Sequence, residues 1–270
     1  MPNRTTKQTI DLYTRDEGEG NPLVLLHGFT GSGESMSQIA ESLPVRVLSP
    51  DLVGHGLSPA PEALEYYRIE AMVEQIRRIV KSRVGGPVFI CGYSMGARLA
   101  LSYASRYQAD VKGLILIGGT PGIEDRYEAE ERARHDAQLA ARIESEGVAE
   151  FVSYWEALPM FVSQLQLSSD LRLVIRRIRL SQRPHGIANA LRMASTGIMN
   201  PIWKTLPELQ IPTLLITGEY DVKFTKIAKR MDHILPYGKH VIVSEAGHAA
   251  HTEDPQMVTG LIKEFLRTYG

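Results

Sequence analysis

Val88-Phe89-Ile90-Cys91-Gly92-Tyr93-Ser94-Met95-Gly96-Ala97-Arg98-Leu99 is the stretch whose reading decides the fold. Val88 to Cys91 is a short apolar run of strand character, and Arg98-Leu99-Ala100-Leu101 continues as a helix. Between them the chain must reverse sharply. Glycine on both sides of Ser94 removes the Cβ clashes such a turn would create, and the turn lifts the Ser94 hydroxyl above the end of a strand at a helix N-terminus. This is the pattern of a nucleophile elbow.

Working outward, the same alternation repeats. Apolar runs at Thr9–Thr14, Leu23–Leu26, Val45–Ser49, Pro87–Cys91, Leu114–Ile117, Thr213–Thr217 and His240–Ser244 are predicted strands. Amphipathic stretches at Arg68–Arg83, Met95–Arg106, Lys226–Leu235 and Pro255–Arg267 are predicted helices. The last has a clear start signal, with Asp254 as cap and Pro255 at the first helical position, where no N–H is needed. Near-continuous apolar strands between helices indicate an α/β fold with a mostly parallel sheet covered on both faces. The first two strands, joined through Asp16-Glu17-Gly18-Glu19-Gly20-Asn21, read as a hairpin leading into the sheet.

Residues 121–207 break this rhythm. Their pattern is helical throughout, as in Glu128–Glu146 and Ser169–Leu180, and they contain no convincing strand. The expectation is a core of residues 1–120 and 208–270 with a helical cap of residues 121–207 over one end of the sheet. From Arg126 to Arg192 the basic residues are all arginine, and lysine is absent. Most belong on solvated helix faces beside glutamates. Two or three pointing inward would suit carboxylates, because a guanidinium fork binds them bidentately.

Composition narrows the function. The 270 residues carry 30 Lys plus Arg against 31 Asp plus Glu, a net charge of −1. That leaves no basic surplus for a phosphate backbone, so no nucleic-acid partner is expected. One cysteine, Cys91, leaves no disulfide framework and no multi-cysteine metal site. His248 and His251 are three apart but have no third ligand pattern nearby, so no metal and no cofactor are expected. The polar N-terminus lacks an apolar signal region and the apolar runs are too short to cross a bilayer. The expectation is a cytoplasmic protein with no membrane partner, monomeric or weakly self-associating.

A serine hydroxyl needs a histidine to take its proton. His248 follows the last predicted strand and Asp221 the one before it. Ser94, Asp221 and His248 stand in the chain order of a Ser-Asp-His triad, each at the carboxyl end of a different strand. Backbone N–H groups of Phe29 and Met95 are the candidate oxyanion donors. His27 and His55 read as structural.

Leu25-Leu26-His27-Gly28-Phe29, Asp51-Leu52-Val53-Gly54-His55-Gly56 and Gly92-Tyr93-Ser94-Met95-Gly96 together resemble the α/β-hydrolase superfamily over nearly the whole chain. A narrower set is similar to the 2-succinyl-6-hydroxy-2,4-cyclohexadiene-1-carboxylate synthases of menaquinone biosynthesis. It comprises His27-Gly28-Phe29-Thr30-Gly31-Ser32, Ser94 with Arg98, Pro121-Gly122, Glu131-Arg132-Ala133-Arg134, Trp155-Glu156-Ala157-Leu158-Pro159-Met160-Phe161, Arg179-Leu180-Ser181-Gln182, Gly197 and Gly218-Glu219-Tyr220-Asp221-Val222-Lys223-Phe224. Ala97 departs from it, standing where a second glycine is usual.

The resemblance implies a lyase that eliminates pyruvate from 2-succinyl-5-enolpyruvyl-6-hydroxy-3-cyclohexene-1-carboxylate, a small substrate with three carboxylates, without cofactor. It further implies that Ser94 acts as a base and that Arg98 binds a carboxylate. Arg134 and Arg179 are the preferred further partners with Arg132 in reserve, and Tyr93, Trp155 and Lys223 line the pocket. The triad also suits a carboxylesterase or a carbon–carbon bond hydrolase, and the fold also hosts non-catalytic ligand receptors.

Overall fold

The computed structural model describes residues 9–270. Seven strands form one sheet: β1 (Thr14–Glu17), β2 (Pro22–Leu26), β3 (Arg46–Pro50), β4 (Val88–Tyr93), β5 (Val111–Ile117), β6 (Thr213–Gly218) and β7 (Gly238–Val243). Their order across the sheet is β1-β3-β2-β4-β5-β6-β7. Every pairing is parallel except β1 with β3. The helices are α1 (Ser37–Ala40), α2 (Ile69–Arg83), α3 (Met95–Arg106), α4 (Arg126–Glu146), α5 (Val148–Glu156), α6 (Ser169–Leu180), α7 (Pro184–Met193), α8 (Val222–Ile234), α9 (Ala250–Glu253) and α10 (Pro255–Tyr269).

The two-residue period of the strands divides the core. Val24, Leu26, Ile90, Leu114, Leu116 and Leu215 pack on one face with α2, α3 and α8. Their neighbours Leu23, Leu25, Phe89, Ile115, Ile117 and Ile216 pack on the other with α1 and α10. A strand covered on both sides gains from apolar residues at every position, which is why β2 reads Pro-Leu-Val-Leu-Leu without alternation. Asp254 caps α10 as expected, accepting the Met257 N–H at 3.0 Å.

The start of the sheet corrects the sequence reading. The expected strand at Thr9–Thr14 ends where the first strand begins, sharing only Thr14 with it, and the first two strands are not a hairpin: β1 pairs antiparallel with β3, with Asp16 opposite Leu48. Ile10 and Leu12 are buried in the core, which gives that segment its strand-like alternation. The backbone of Tyr13, however, bonds to Asp51 N and to Ser58 Oγ rather than to a strand. The short polar β1 is suited to the sheet edge, where one flank faces solvent. Asp16 accepts two hydrogen bonds from Arg46 at 2.8 Å there, and Arg46 holds its carboxyl below the usual carboxylate range.

Between β5 and β6 come α4 to α7 and the connecting turns, with no strand among them. They carry a separate apolar cluster, including Leu139, Ile143, Phe151, Val152 and Ile187. The glutamates expected beside the arginines are there. Arg126 pairs with Glu130, Arg142 with Glu146, Arg192 with Glu144 and Arg176 with Glu156. Arg183 instead reaches the carbonyl oxygens of Gly56 and Ser58, tying this layer to the loop after β3.

Candidate active site

The turn from β4 into α3 holds Ser94 at φ 52°, ψ −105°, in left-handed territory that is costly for a residue with a Cβ. The two flanking glycines let the turn close. A Cβ on Gly96 would overlap the Leu26 carbonyl oxygen, and one on Gly92 would overlap the Gly96 carbonyl. The Ser94 N–H donates to Ile117 O at 2.8 Å, fastening the elbow to the end of β5.

His248 arrives from the loop after β7 and Asp221 from the end of β6. His248 Nε2 stands 2.9 Å from Ser94 Oγ, and His248 Nδ1 stands 2.6 Å from Asp221 Oδ2. A carboxylate only accepts, so Nδ1 carries the proton and Nε2 presents its lone pair to the hydroxyl. The imidazole is 2% exposed and Asp221 8%, so water competes little for either bond. Asp221 is also fixed at the start of α8, where its other oxygen accepts the Phe224 N–H at 3.4 Å. The histidine loop is braced by Glu253, which accepts from Gly247 N at 2.6 Å and Ala249 N at 3.3 Å. The Phe224 ring packs 4.4 Å from the imidazole. A Cβ on Gly118 would sit 2.8 Å from His248 Cε1, so the chain opposite must also be bare.

Ser94 opens into a cleft that Phe29, Met95, Arg98, Arg132, Asp136 and Lys223 also line. Among the described residues, no protein acceptor takes the N–H of Phe29 or Met95, leaving both available to a ligand oxygen. Arg98, one turn after Ser94, donates to the Ala194 carbonyl and has no carboxylate partner among the described residues. Burial, assisted by the neighbouring Arg132, pulls its guanidinium down to about 10, while Asp136 opposes the shift; it remains charged at neutral pH. Lys223 is exposed at the rim.

Two expected arginines are placed differently. Arg134 does not reach the cleft: it is exposed on the outer face of α4, its Nε 3.4 Å from the Glu130 carbonyl. Two residues along a helix is a turn of roughly 200°, so Arg132 and Arg134 cannot face the same way, and Arg132 is the one turned inward. Arg179 is 9% exposed but held by Glu156 Oε1 at 3.2 Å and Gln164 Oε1 at 3.0 Å. It lines an adjoining cleft that shares the side chains of Phe29, Tyr93, Trp155 and Phe161 with that of Ser94. Trp155 is thus both packing and lining, its ring 5.4 Å from Phe29 and 5.7 Å from Phe161. Tyr93 likewise borders both clefts, and burial pushes its phenol up.

Sequence reasoning missed Asp136 and Phe161 at this cleft. Asp136 had a readable signal, four residues after Arg132 on one helix face. Phe161 closes the family-like string from Trp155 but was given no role, and periodicity does not place it because it comes from a short 3-10 turn at Pro159–Gln166. His27 is a scaffold residue: Nδ1 donates to Gly28 O at 2.8 Å, Nε2 accepts from Leu52 N at 2.9 Å, and burial pushes it down to about 4. His251 packs its ring 4.2 Å from Tyr93 and is pushed by burial to about 3.

The geometry has close counterparts among known proteins. A family model described as alpha/beta hydrolase fold matches residues 21–255. The chain belongs to that family. Among alpha/beta hydrolases, it is 38% identical over 98% of its length, and 97% of the relative's, to a putative 2-succinyl-6-hydroxy-2,4-cyclohexadiene-1-carboxylate synthase of Bacillus subtilis (strain 168). It is 31% identical to the synthase of that name from Enterobacter sp. (strain 638), covering 94% of this chain and 95% of the other. The solved structure of MenH from S. aureus superposes with a TM-score of 0.92 at 34% identity, over 95% of this chain and 98% of that one. Among the described residues, no helix is long and apolar enough to cross a membrane.

Proposed function

We propose that this chain is a carbon–oxygen lyase that eliminates pyruvate from 2-succinyl-5-enolpyruvyl-6-hydroxy-3-cyclohexene-1-carboxylate, giving 2-succinyl-6-hydroxy-2,4-cyclohexadiene-1-carboxylate. The observation that carries the reading is the pairing of a histidine-bound Ser94 hydroxyl with Arg98 and Arg132 in one cleft. An esterase needs the first feature; the second suits a substrate with several carboxylates. The names of the synthase relatives support the same reading.

In the proposed mechanism Asp221 steadies the imidazole of His248, which takes the Ser94 proton as the Ser94 oxygen removes a ring proton. The electron pair of the broken C–H bond moves through the ring and expels the enolpyruvyl oxygen, and protonation of the released enolate gives pyruvate. The N–H groups of Phe29 and Met95 hold the oxygen on which negative charge develops, where one such donor is typically worth roughly 3 kcal/mol in the transition state. Arg98, Arg132 and the rim ammonium of Lys223 receive the carboxylates, and Tyr93 and Trp155 shape the wall. Of the core expected at 1–120 and 208–270, residues 1–8 lie outside the described residues; 9–120 and 208–270 carry the triad, and residues 121–207 form the cap that brings Arg132 over it. The working form is a cytoplasmic monomer or weak homo-oligomer acting on a small polyanion.

The test is to mix the protein with the enolpyruvyl substrate and follow pyruvate with lactate dehydrogenase, beside a p-nitrophenyl ester. Pyruvate release well above ester turnover is expected. Fast ester turnover without pyruvate release would instead assign a carboxylesterase or carbon–carbon bond hydrolase using the same triad.

A further inference from the structure

Among the described residues lining the Ser94 cleft, the carboxylates are Asp221, engaged with His248, and Asp136. Asp136 lies on α4 and is 2% exposed. A carboxylate is a poor ligand for an anion, so its presence where a polyanion should bind calls for a reason. Its Oδ2 accepts a hydrogen bond from Arg132 Nε at 2.8 Å, and its Oδ1 lies 3.7 Å from His135 Nδ1. A bond at Nε fixes the plane of a guanidinium while leaving both terminal nitrogens free to fork onto another carboxylate.

Arg98 explains why such a brace is needed. Two guanidinium groups facing one sheltered cleft repel each other. Arg98 is held by the Ala194 carbonyl, while Arg132 is 37% exposed and has water within reach. Without an acceptor for its Nε, Arg132 is free to turn its guanidinium away from the cleft into the water within its reach. We propose that Asp136 is a positioning residue, holding Arg132 by its Nε so that both terminal nitrogens stand beside Arg98 to receive a substrate carboxylate. The assignment rests on the polyanionic substrate proposed above.

The experiment is a double-mutant cycle on KM for pyruvate release. Asp136→Ala is expected to raise KM by about tenfold or more, with a smaller effect on kcat. Asp136→Asn keeps an acceptor for Nε and is expected to recover KM to within about threefold of the unaltered protein. Adding Asp136→Ala to Arg132→Ala is expected to change KM by less than about twofold, because the group it positions is already gone. A general loss of packing would instead damage both backgrounds alike. The proposal is overturned if Asp136→Ala leaves KM unchanged, or if it costs as much without Arg132 as with it. Should the unaltered protein release no pyruvate, the lyase reading fails first. The same four proteins are then titrated calorimetrically with tricarballylate, a tricarboxylate. The same pattern in Kd upholds the brace, and equal or absent affinity across the set overturns it.

Discussion

Ser94 carries the chemistry only because its neighbours lack side chains. The hydroxyl is aimed by a backbone conformation that costs of order 1–3 kcal/mol, held by the Ile117 carbonyl, β4 and α3 together. Gly96→Ala puts a Cβ into the Leu26 carbonyl, so the variant is expected to lose stability by about 1–3 kcal/mol and to lose activity with it, read by urea unfolding and pyruvate release. Arg98 tests the carboxylate anchor. Arg98→Ala is expected to raise KM for the enolpyruvyl substrate about 10- to 100-fold at unchanged unfolding midpoint, and Arg98→Lys to be damaging as well, because an ammonium cannot make a bidentate pair. A KM within about twofold of the unaltered protein removes Arg98 from the substrate site.

The elements differ in how far the sequence reveals them. The elbow was legible because its chemistry is local: two glycines, one serine, an apolar strand before and a helix after. So were β4, α3 and α6, whose two- and 3.6-residue periods are undisturbed. The first strand was misread because burial of Ile10 and Leu12 imitates a strand in a segment whose hydrogen bonds go to a loop. The β1–β3 pairing joins residues some thirty positions apart and leaves no local trace. On α4 the family-like string Glu131-Arg132-Ala133-Arg134 does not say which arginine faces inward; only the packing of Asp136, Leu139 and Ile143 beneath the helix sets its rotation. Arg132→Ala is therefore expected to raise KM by about tenfold or more, while Arg134→Ala stays within about twofold. The opposite ranking contradicts the assigned face of α4.

Across the whole molecule, three buried imidazoles link the fold to pH. Burial holds His27 at about 4 and His55 and His251 at about 3, against an ordinary value of 6.5. Each ring is neutral when folded and takes a proton near its ordinary value when unfolded. The stability they lend is therefore complete above pH 6.5 and is lost as pH falls toward 4, by up to about 1.4 kcal/mol per pH unit for each ring. A urea midpoint that drops steeply between pH 7 and pH 5 is expected; a flat profile contradicts neutral burial of these rings. The cleft itself draws on two parts of the chain, with Ser94, Asp221 and His248 from the segments after β4, β6 and β7 and Arg132 and Trp155 from the helices between β5 and β6. The most direct measurement is pyruvate release by Ser94→Ala at saturating substrate, in protein whose unfolding midpoint matches the unaltered chain. If the serine oxygen is the base, kcat falls by about 100-fold or more. A rate within about tenfold of the original means that another group takes the ring proton.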